Sequence, residues 1–465
     1  FLMQSFNPDE QVTIAILERI KSQGLRPDPG TYSYGGLYIY SAGAFLYFSS
    51  VVGAVTLTSD ISYYFLHPEE MRKIYVIFKL WGMLFTSLTV FLIFYAGSLI
   101  FSRRAGLFAA FFYSITPGVM IDGNLMKPYG FSLFWSMLAF IFMILFVKEG
   151  REKLFYLASV FLGFALGSIY IHVFMMPAFL AAVYFSTSNE KKLSLLIKGS
   201  LLVLGAFLIT NPYFVPNIKM VYKELLAATG AAPFKISFYN AAIYFLATLP
   251  AELSAGIYVF CLLGLWKILR TRTPEMIVLC AAFVPAAVYI SFSHCHYAHY
   301  SVTLVPFAVL AAGYFADFLW REHRRWGQIA LGAVFALSML NASYYLYLWL
   351  KEDTRISAGK WINDNIPSGS SIAAGGNFTG MEGYPAFRMW DYDLKPQIGG
   401  ASKKDFRYYI WIENKKGGLA ESSYFDDNFE QVRRYKNNIG FFEKIFFTKH
   451  IVKNYGKEIV IYKRK

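Results

Sequence analysis

The stretch Ile93-Phe94-Tyr95-Ala96-Gly97-Ser98-Leu99-Ile100-Phe101-Ser102-Arg103-Arg104-Ala105-Gly106-Leu107 settles the broad class of this chain. An apolar run that begins at Ile74 stops on two arginines, and a second apolar run resumes at once. Roughly 20 apolar residues cross a hydrocarbon layer as a helix, and basic residues gather where such helices end in the cytoplasm. The pattern repeats over residues 74–101, 105–121, 131–147, 154–171, 173–185, 193–209, 255–266, 276–292, 300–319 and 329–350, giving ten spans. Of all 465 residues, 56% are hydrophobic and only 16% charged, where a soluble domain carries about a quarter. The chain reads as a polytopic α-helical membrane protein.

The net charge of +14 invites a nucleic-acid reading, but its placement argues otherwise. Loops 102–104, 148–153, 190–198, 267–275 and 317–325 hold 14 Lys and Arg against 6 Asp and Glu. The rest of residues 1–350 balances at 10 against 10. That asymmetry puts the first set of loops in the cytoplasm. Basicity therefore reports topology, and no nucleic-acid partner is expected. The same topology places the start of the chain outside. It calls for one further apolar span before Phe1, about eleven in all. The protein is expected in the plasma (inner) membrane.

Residues 1–73 then form the first external loop of a transmembrane catalytic domain, 1–350. Within that loop, apolar positions Val12, Ile16, Leu17 and Ile20 mark an amphipathic helix from Pro8 to about Gly24. Residues 37–57 are apolar and aromatic, and 60–73 form a polar connector. An amphipathic external loop covers 211 to about 250. After Leu350 the composition changes to 20 Lys and Arg against 14 Asp and Glu, with strand-like runs such as Tyr408-Tyr409-Ile410-Trp411-Ile412. A helix is expected over 357–365, a turn at Pro367-Ser368-Gly369, and strands over 371–374 and 458–462. Residues 351–465 are thus expected to form a soluble α/β domain on the external, periplasmic side.

Ionisable residues in or beside apolar segments are the natural candidates for chemistry. Asn7-Pro8-Asp9-Glu10 has a structural explanation as a capped helix start with Pro in the first turn. It also fits a general base, Asp9, with Glu10 orienting it. Asp122 lies in the next short external loop, Ile121-Asp122-Gly123-Asn124-Leu125-Met126-Lys127-Pro128. Asp122 and Lys127 pair with one another, or else Lys127 meets a phosphate as a point charge. His294, His296 and His299 fall on the external side near Tyr297 and Tyr300. They act as donors to an anionic group, as members of an aromatic belt, or as metal ligands, although only His296 and His299 share a helical face. No phosphate-binding Gly-rich loop and no Ser nucleophile motif occurs, so an activated donor would come from the lipid phase.

Taken in order, these residues resemble the GT-C superfamily of integral membrane glycosyltransferases, in its protein O-mannosyltransferase and aminoarabinose transferase branch. The resemblance rests on the acidic pair Asp9-Glu10 in the first external loop and on the aromatic, small-residue helix start Tyr34-Gly35-Gly36-Leu37-Tyr38-Ile39-Tyr40. It rests also on Arg104-Ala105-Gly106-Leu107 leading through Thr116-Pro117 to Asp122, and on Tyr300 to Pro306 before an external α/β tail. It implies a polyprenyl-phosphate-linked monosaccharide donor. The sugar passes with inversion to a lipid, glycan or protein hydroxyl at the external face. Asp9 would be the base, supported by Glu10 and Asp122, and these three would be the ligands if a divalent Mg or Mn ion is used. Aminoarabinose transferases place a lysine just before the aromatic helix, where this chain has Ser33 and Tyr34. The expected phosphate ligands are therefore Lys127, His294, His296 and His299, with Arg26 and Arg72 in reserve. An oligosaccharide ligase or polymerase, and a lipid-linked sugar flippase, are the alternatives.

Overall fold

The structure, a computed structural model, describes residues 8–22, 27–186, 189–231, 236–292, 298–375, 384–397, 406–412, 428–436 and 458–465. Two compact units emerge, one comprising Thr13–Leu57 with Ile74–Tyr345, the other Phe1–Val12, Thr58–Lys73 and Leu346–Lys465.

The larger unit is a helical bundle. In chain order its helices begin with α1 (Pro8–Ser22, whose first residues belong to the other unit), α2 (Gly36–Val51), α3 (Ile61–Leu66, also of the other unit) and α4 (Pro68–Ile100, of the other unit as far as Lys73). There follow α5 (Arg103–Ser114), α6 (Pro117–Asp122), α7 (Pro128–Glu149) and α8 (Glu152–Ser168). A 3-10 turn at Tyr170–Met175 leads into α9 (Met176–Ser186), and α10 (Asn189–Thr210) and α11 (Ile218–Ala231) come next. The chain continues through α12 (Phe238–Ile243), a π turn at Tyr244–Thr248 and α13 (Leu249–Leu253) to α14 (Ala255–Thr271) and α15 (Pro274–Ser291). Short α16 (Ala298–Ser301) precedes α17 (Val305–Glu322) and α18 (Arg324–Leu350).

Packing sorts these helices into interior and rim. In the segment His299–Glu322, which contains α17, the most apolar stretch is 78% buried, whereas in α4, α10 and the segment Arg325–Tyr347 it is 28% buried. The rim helices turn leucines and isoleucines such as Leu201, Leu204 and Ile209 outward, as lipid-facing helices do. In the interior, α17 packs against α5 and α14 through small residues. A β-carbon on Gly264 would overlap Ala311 O, so only glycine allows this approach. The Gly35-Gly36 start of α2 is tied down by backbone chemistry. Gly35 N donates to Ser168 O at 3.0 Å, and Gly36 N to Asn211 Oδ1 at 2.7 Å.

Six described helices are long and apolar enough to cross a membrane, or seven if a bent pair counts as one span, so the expected count of eleven is not confirmed. The difference lies in how apolar runs break. Residues 105–121 divide into α5 and α6 at Thr116, where Pro117 lacks an N–H and the Thr116 hydroxyl donates back to Phe112 O at 2.7 Å. The run 154–171 is the 17-residue α8, and 173–185 lies in a short helix, Tyr170–Ser186, that starts as a 3-10 turn. Ahead of α14, the segment Phe238–Leu253 meets it at 114°, with Ser254 at φ +68. The connector 60–73 is also more ordered than its polarity suggests, holding α3 and the first turn of α4.

The smaller unit is built on a five-stranded sheet. After α19 (Thr354–Asn365) come β1 (Ser371–Gly375), β2 (Asp393–Gln397), β3 (Tyr408–Ile412), β4 (Phe429–Tyr435) and β5 (Ile459–Arg464), in the order β2-β1-β3-β5-β4. β1 pairs in parallel with β2 and β3, while β5 runs antiparallel to β3 and β4. Alternation along β3 sends Tyr408, Ile410 and Ile412 to the face that packs with Ala358 and Ile362 of α19, and Tyr409 to the face shared with Phe406 and Phe429. Gly369 occupies the expected turn at φ +79.

Candidate functional site

α5 and α6 carry the chain to Asp122, which ends α6 and is only 5% exposed. Four residues of turn follow, and Lys127, 2% exposed, stands just before Pro128 at the start of α7. The turn is pinned by Thr13, whose hydroxyl donates to Met126 O at 3.3 Å. Burial pushes the Asp122 carboxyl up to about 7, against the pull of neighbouring Lys127, which favours its charged form. Lys127 is close enough for its charge to act on Asp122, which both readings of these two residues require.

Aromatic and polar groups close round the pair. Lys127 Nζ lies 5.9 Å from the centre of the Tyr129 ring, that ring is 5.1 Å from the His299 ring, and His299 is 4.6 Å from Tyr300. Behind Tyr129, the Ser132 hydroxyl donates to the Tyr129 carbonyl at 2.8 Å and lies 2.9 Å from His172 Nε2. With its proton so committed, Ser132 accepts from His172 Nε2–H. Ser301 of α16 donates to the Tyr244 hydroxyl at 3.3 Å.

A residue that the sequence reading missed completes the cluster. Glu252, on α13, is 2% exposed, and α13 packs on α6 and α16. Its Oε2 has no hydrogen-bond partner among the described residues. The nearby Asp122 charge acts on the Glu252 carboxyl. The available signal was an acid between Pro250 and Ser254, flanked by apolar residues and directly ahead of an apolar span.

The structure thus brings Asp122, Lys127 and His299 into one region of the bundle. Asp9, half-buried, and Glu10, fully buried, open α1 and belong to the smaller unit, as does the exposed Arg72. Arg26, His294 and His296 lie outside the described residues. Among the described residues, no three His, Cys, Asp or Glu side chains gather closely enough to hold a metal ion, so the expectation of a divalent cation gains no support.

Residues 73–216 match the sequence model of a family described as dolichyl-phosphate-mannose-protein mannosyltransferase. The matched segment contains Asp122 and Lys127 and excludes Asp9, Glu10 and Glu252. No curated protein matches the chain in sequence. Among solved structures, ArnT from Cupriavidus metallidurans bound to undecaprenyl phosphate superposes with a TM-score of 0.51 at 16% identity, covering 70% of this chain and 58% of that one. The same protein in the apo state gives 0.50 at 14% identity, covering 70% and 57%. The oligosaccharyltransferase AglB from Archaeoglobus fulgidus, in complex with an inhibitory peptide and a dolichol-phosphate, gives 0.49 at 13% identity, covering 87% and 65%. That last likeness is too loose to carry a conclusion. The bundle has the GT-C fold, and the chain spans less than two thirds of the ArnT structures it resembles.

Proposed function

We propose that this chain is a GT-C glycosyltransferase that moves a monosaccharide from a polyprenyl phosphate to an acceptor hydroxyl, with inversion, on the external face of the plasma membrane. One observation carries the reading. A buried carboxyl, Asp122, ends α6 and a buried ammonium, Lys127, stands just before α7, both within the segment that matches the dolichyl-phosphate-mannose-protein mannosyltransferase family. Supporting it is a fold shared with ArnT, which binds undecaprenyl phosphate.

In this reading Asp9 takes the proton of the acceptor hydroxyl as the oxygen–C1 bond forms. The bond from C1 to the phosphate oxygen breaks with its electron pair, leaving the polyprenyl phosphate. Positive charge builds at the sugar while negative charge grows on the departing phosphate, so a base at one end and cations at the other lower the barrier. Glu10 orients Asp9, and Lys127 with His299 faces the phosphate. Residues 1–350 form the catalytic domain and 351–465 an external domain.

The test is transfer from a radiolabelled polyprenyl-phosphate hexose or pentose by protein in liposomes, following donor consumption. Asp9→Asn is expected to abolish release of polyprenyl phosphate while the protein stays folded. Retained release in that variant removes Asp9 as the base, and no release by folded wild type with any such donor removes the reading.

A further inference from the structure

α9 and α10 are neighbours in the chain that pack on different partners. α9 lies against α7 and α15, and its last residue, Ser186, donates its hydroxyl to Phe146 O of α7 at 2.7 Å. α10 packs mainly along α8. The two helices therefore diverge, and the wedge between them is a cavity of about 390 Å³, the size of a small-molecule site. Leu180, Ala181, Val183 and Phe185 of α9 and Leu196 of α10 line it. Leu180 and Tyr184 are exposed, as are Leu193 and Ile197 of α10, so the wedge opens on the lipid-facing rim.

Among the lining residues only Lys192 is charged. Its Nζ reaches from α10 to α9 and stands 4.4 Å from the centre of the Tyr184 ring. Lys191, the next residue back, faces Glu152 of α8 at 4.0 Å instead. Both lysines belong to loop 190–198, whose three lysines against one glutamate mark an end expected in the cytoplasm.

We propose that this wedge is a seat for an anionic phospholipid of the surrounding bilayer. One acyl chain lies between α9 and α10, and the phosphodiester meets Lys192. Charge complementarity selects the occupant. An apolar groove alone accepts any acyl chain, whereas a cation at its mouth, at headgroup depth, favours a lipid with a net negative head. Tyr184 suits the same depth, with an apolar ring and a polar tip. An ammonium presents three donors, so a ring face and a phosphate oxygen can share it. Phe146 lies near the end of α7 opposite Lys127, so this seat is separate from the proposed reaction and does not depend on it.

The test is native mass spectrometry of the full chain, purified in detergent and stripped of lipid. It is titrated with dioleoyl phosphatidylglycerol or dioleoyl phosphatidylcholine, which share their chains and differ in net charge. Wild type should hold the first phosphatidylglycerol about fivefold more tightly, the worth of one lysine at a lipid surface. Lys192→Met should bring the two lipids within about twofold of one another, while Lys191→Met should keep the preference. Leu196→Trp fills the groove and should weaken binding of both lipids; should that variant not fold, Lys192→Met decides alone. Equal affinity of wild type for the two lipids, or a preference that survives Lys192→Met or vanishes in Lys191→Met, overturns the inference. Displacement of phosphatidylglycerol by millimolar inorganic phosphate also overturns it, since the seat would then take a bare anion. So does a dimer from which both lipids are excluded, because a second copy would then cover the groove.

Discussion

Two buried carboxylate sites close opposite ends of the same helix pair. At one end of α5 and α17, Asp317 is 4% exposed. It accepts the Ser102 hydroxyl at 2.7 Å and pairs with Arg321 at 2.5 Å, and Arg104 stands 3.7 Å away. At the other end, where α5 has run on into α6, Lys127 acts on Asp122, and Asp122 on Glu252. One carboxylate between two guanidiniums is a charge-compensated anchor whose Oδ2 is bonded while Oδ1 has no hydrogen-bond partner among the described residues, and the arginine side chains, about half exposed, reach solvent with their spare donors. Of the two buried carboxyls at the second end, only Asp122 feels the Lys127 ammonium. Burial alone therefore does not distinguish an anchor from a site, whereas the local charge balance does.

Removing the ammonium should break the contrast most severely. Lys127→Met leaves the buried Asp122 carboxyl without the charge that acts on it, and losing one partner of a buried pair typically costs about 3–5 kcal/mol. Transfer should disappear with it, and a combined stability and donor-release assay reads both. The anchor should behave differently. Asp317→Asn keeps an acceptor for Ser102 and leaves the arginines facing solvent. The expected loss is about 1–3 kcal/mol in denaturation, with donor release unchanged. A change in that release would mean the two ends are not separate.

Acidity sharpens the comparison. The Asp122 carboxyl is raised from 3.8 to about 7 in the folded protein, so the folded state holds a proton that the unfolded chain releases. Its contribution is fully present below about pH 4 and is lost as pH rises toward 7. Melting temperatures of wild type should therefore fall relative to Asp122→Asn between those values, and parallel curves would show that Asp122 does not titrate there. The smallest effect belongs to the rim of the anchor. Arg104→Gln removes a 3.7 Å pair whose arginine is 48% exposed, so solvent screening limits the change to about 0–1 kcal/mol. Denaturation at low and high salt measures it.

Much of the architecture was legible locally. Apolar periodicity marked α7, α10, α15, α17 and α18, and alternation marked β3, because side-chain direction follows directly from helix and strand geometry. The amphipathic pattern found α1, which starts at Pro8 as expected. Strands β2 and β4 escaped notice, since Lys395, Pro396 and the charges of Glu430, Arg433 and Arg434 interrupt their patterns. Asp122 and Lys127 could be suspected together because only four residues separate them across one turn.

What the sequence by itself determined, then, is a membrane-embedded helical chain with a sheet-bearing tail and an acid and a lysine close together between two apolar segments. These follow from periodicity, composition and short separations. Only the tertiary structure decided that residues 105–121 break at Pro117, that Asp317 is an anchor, and that Glu252 meets the face of Asp122 from 130 positions away. Hydrophobicity is additive along a chain and can be read from it. A charge's role depends on which other charges the fold places beside it and how much water remains between them.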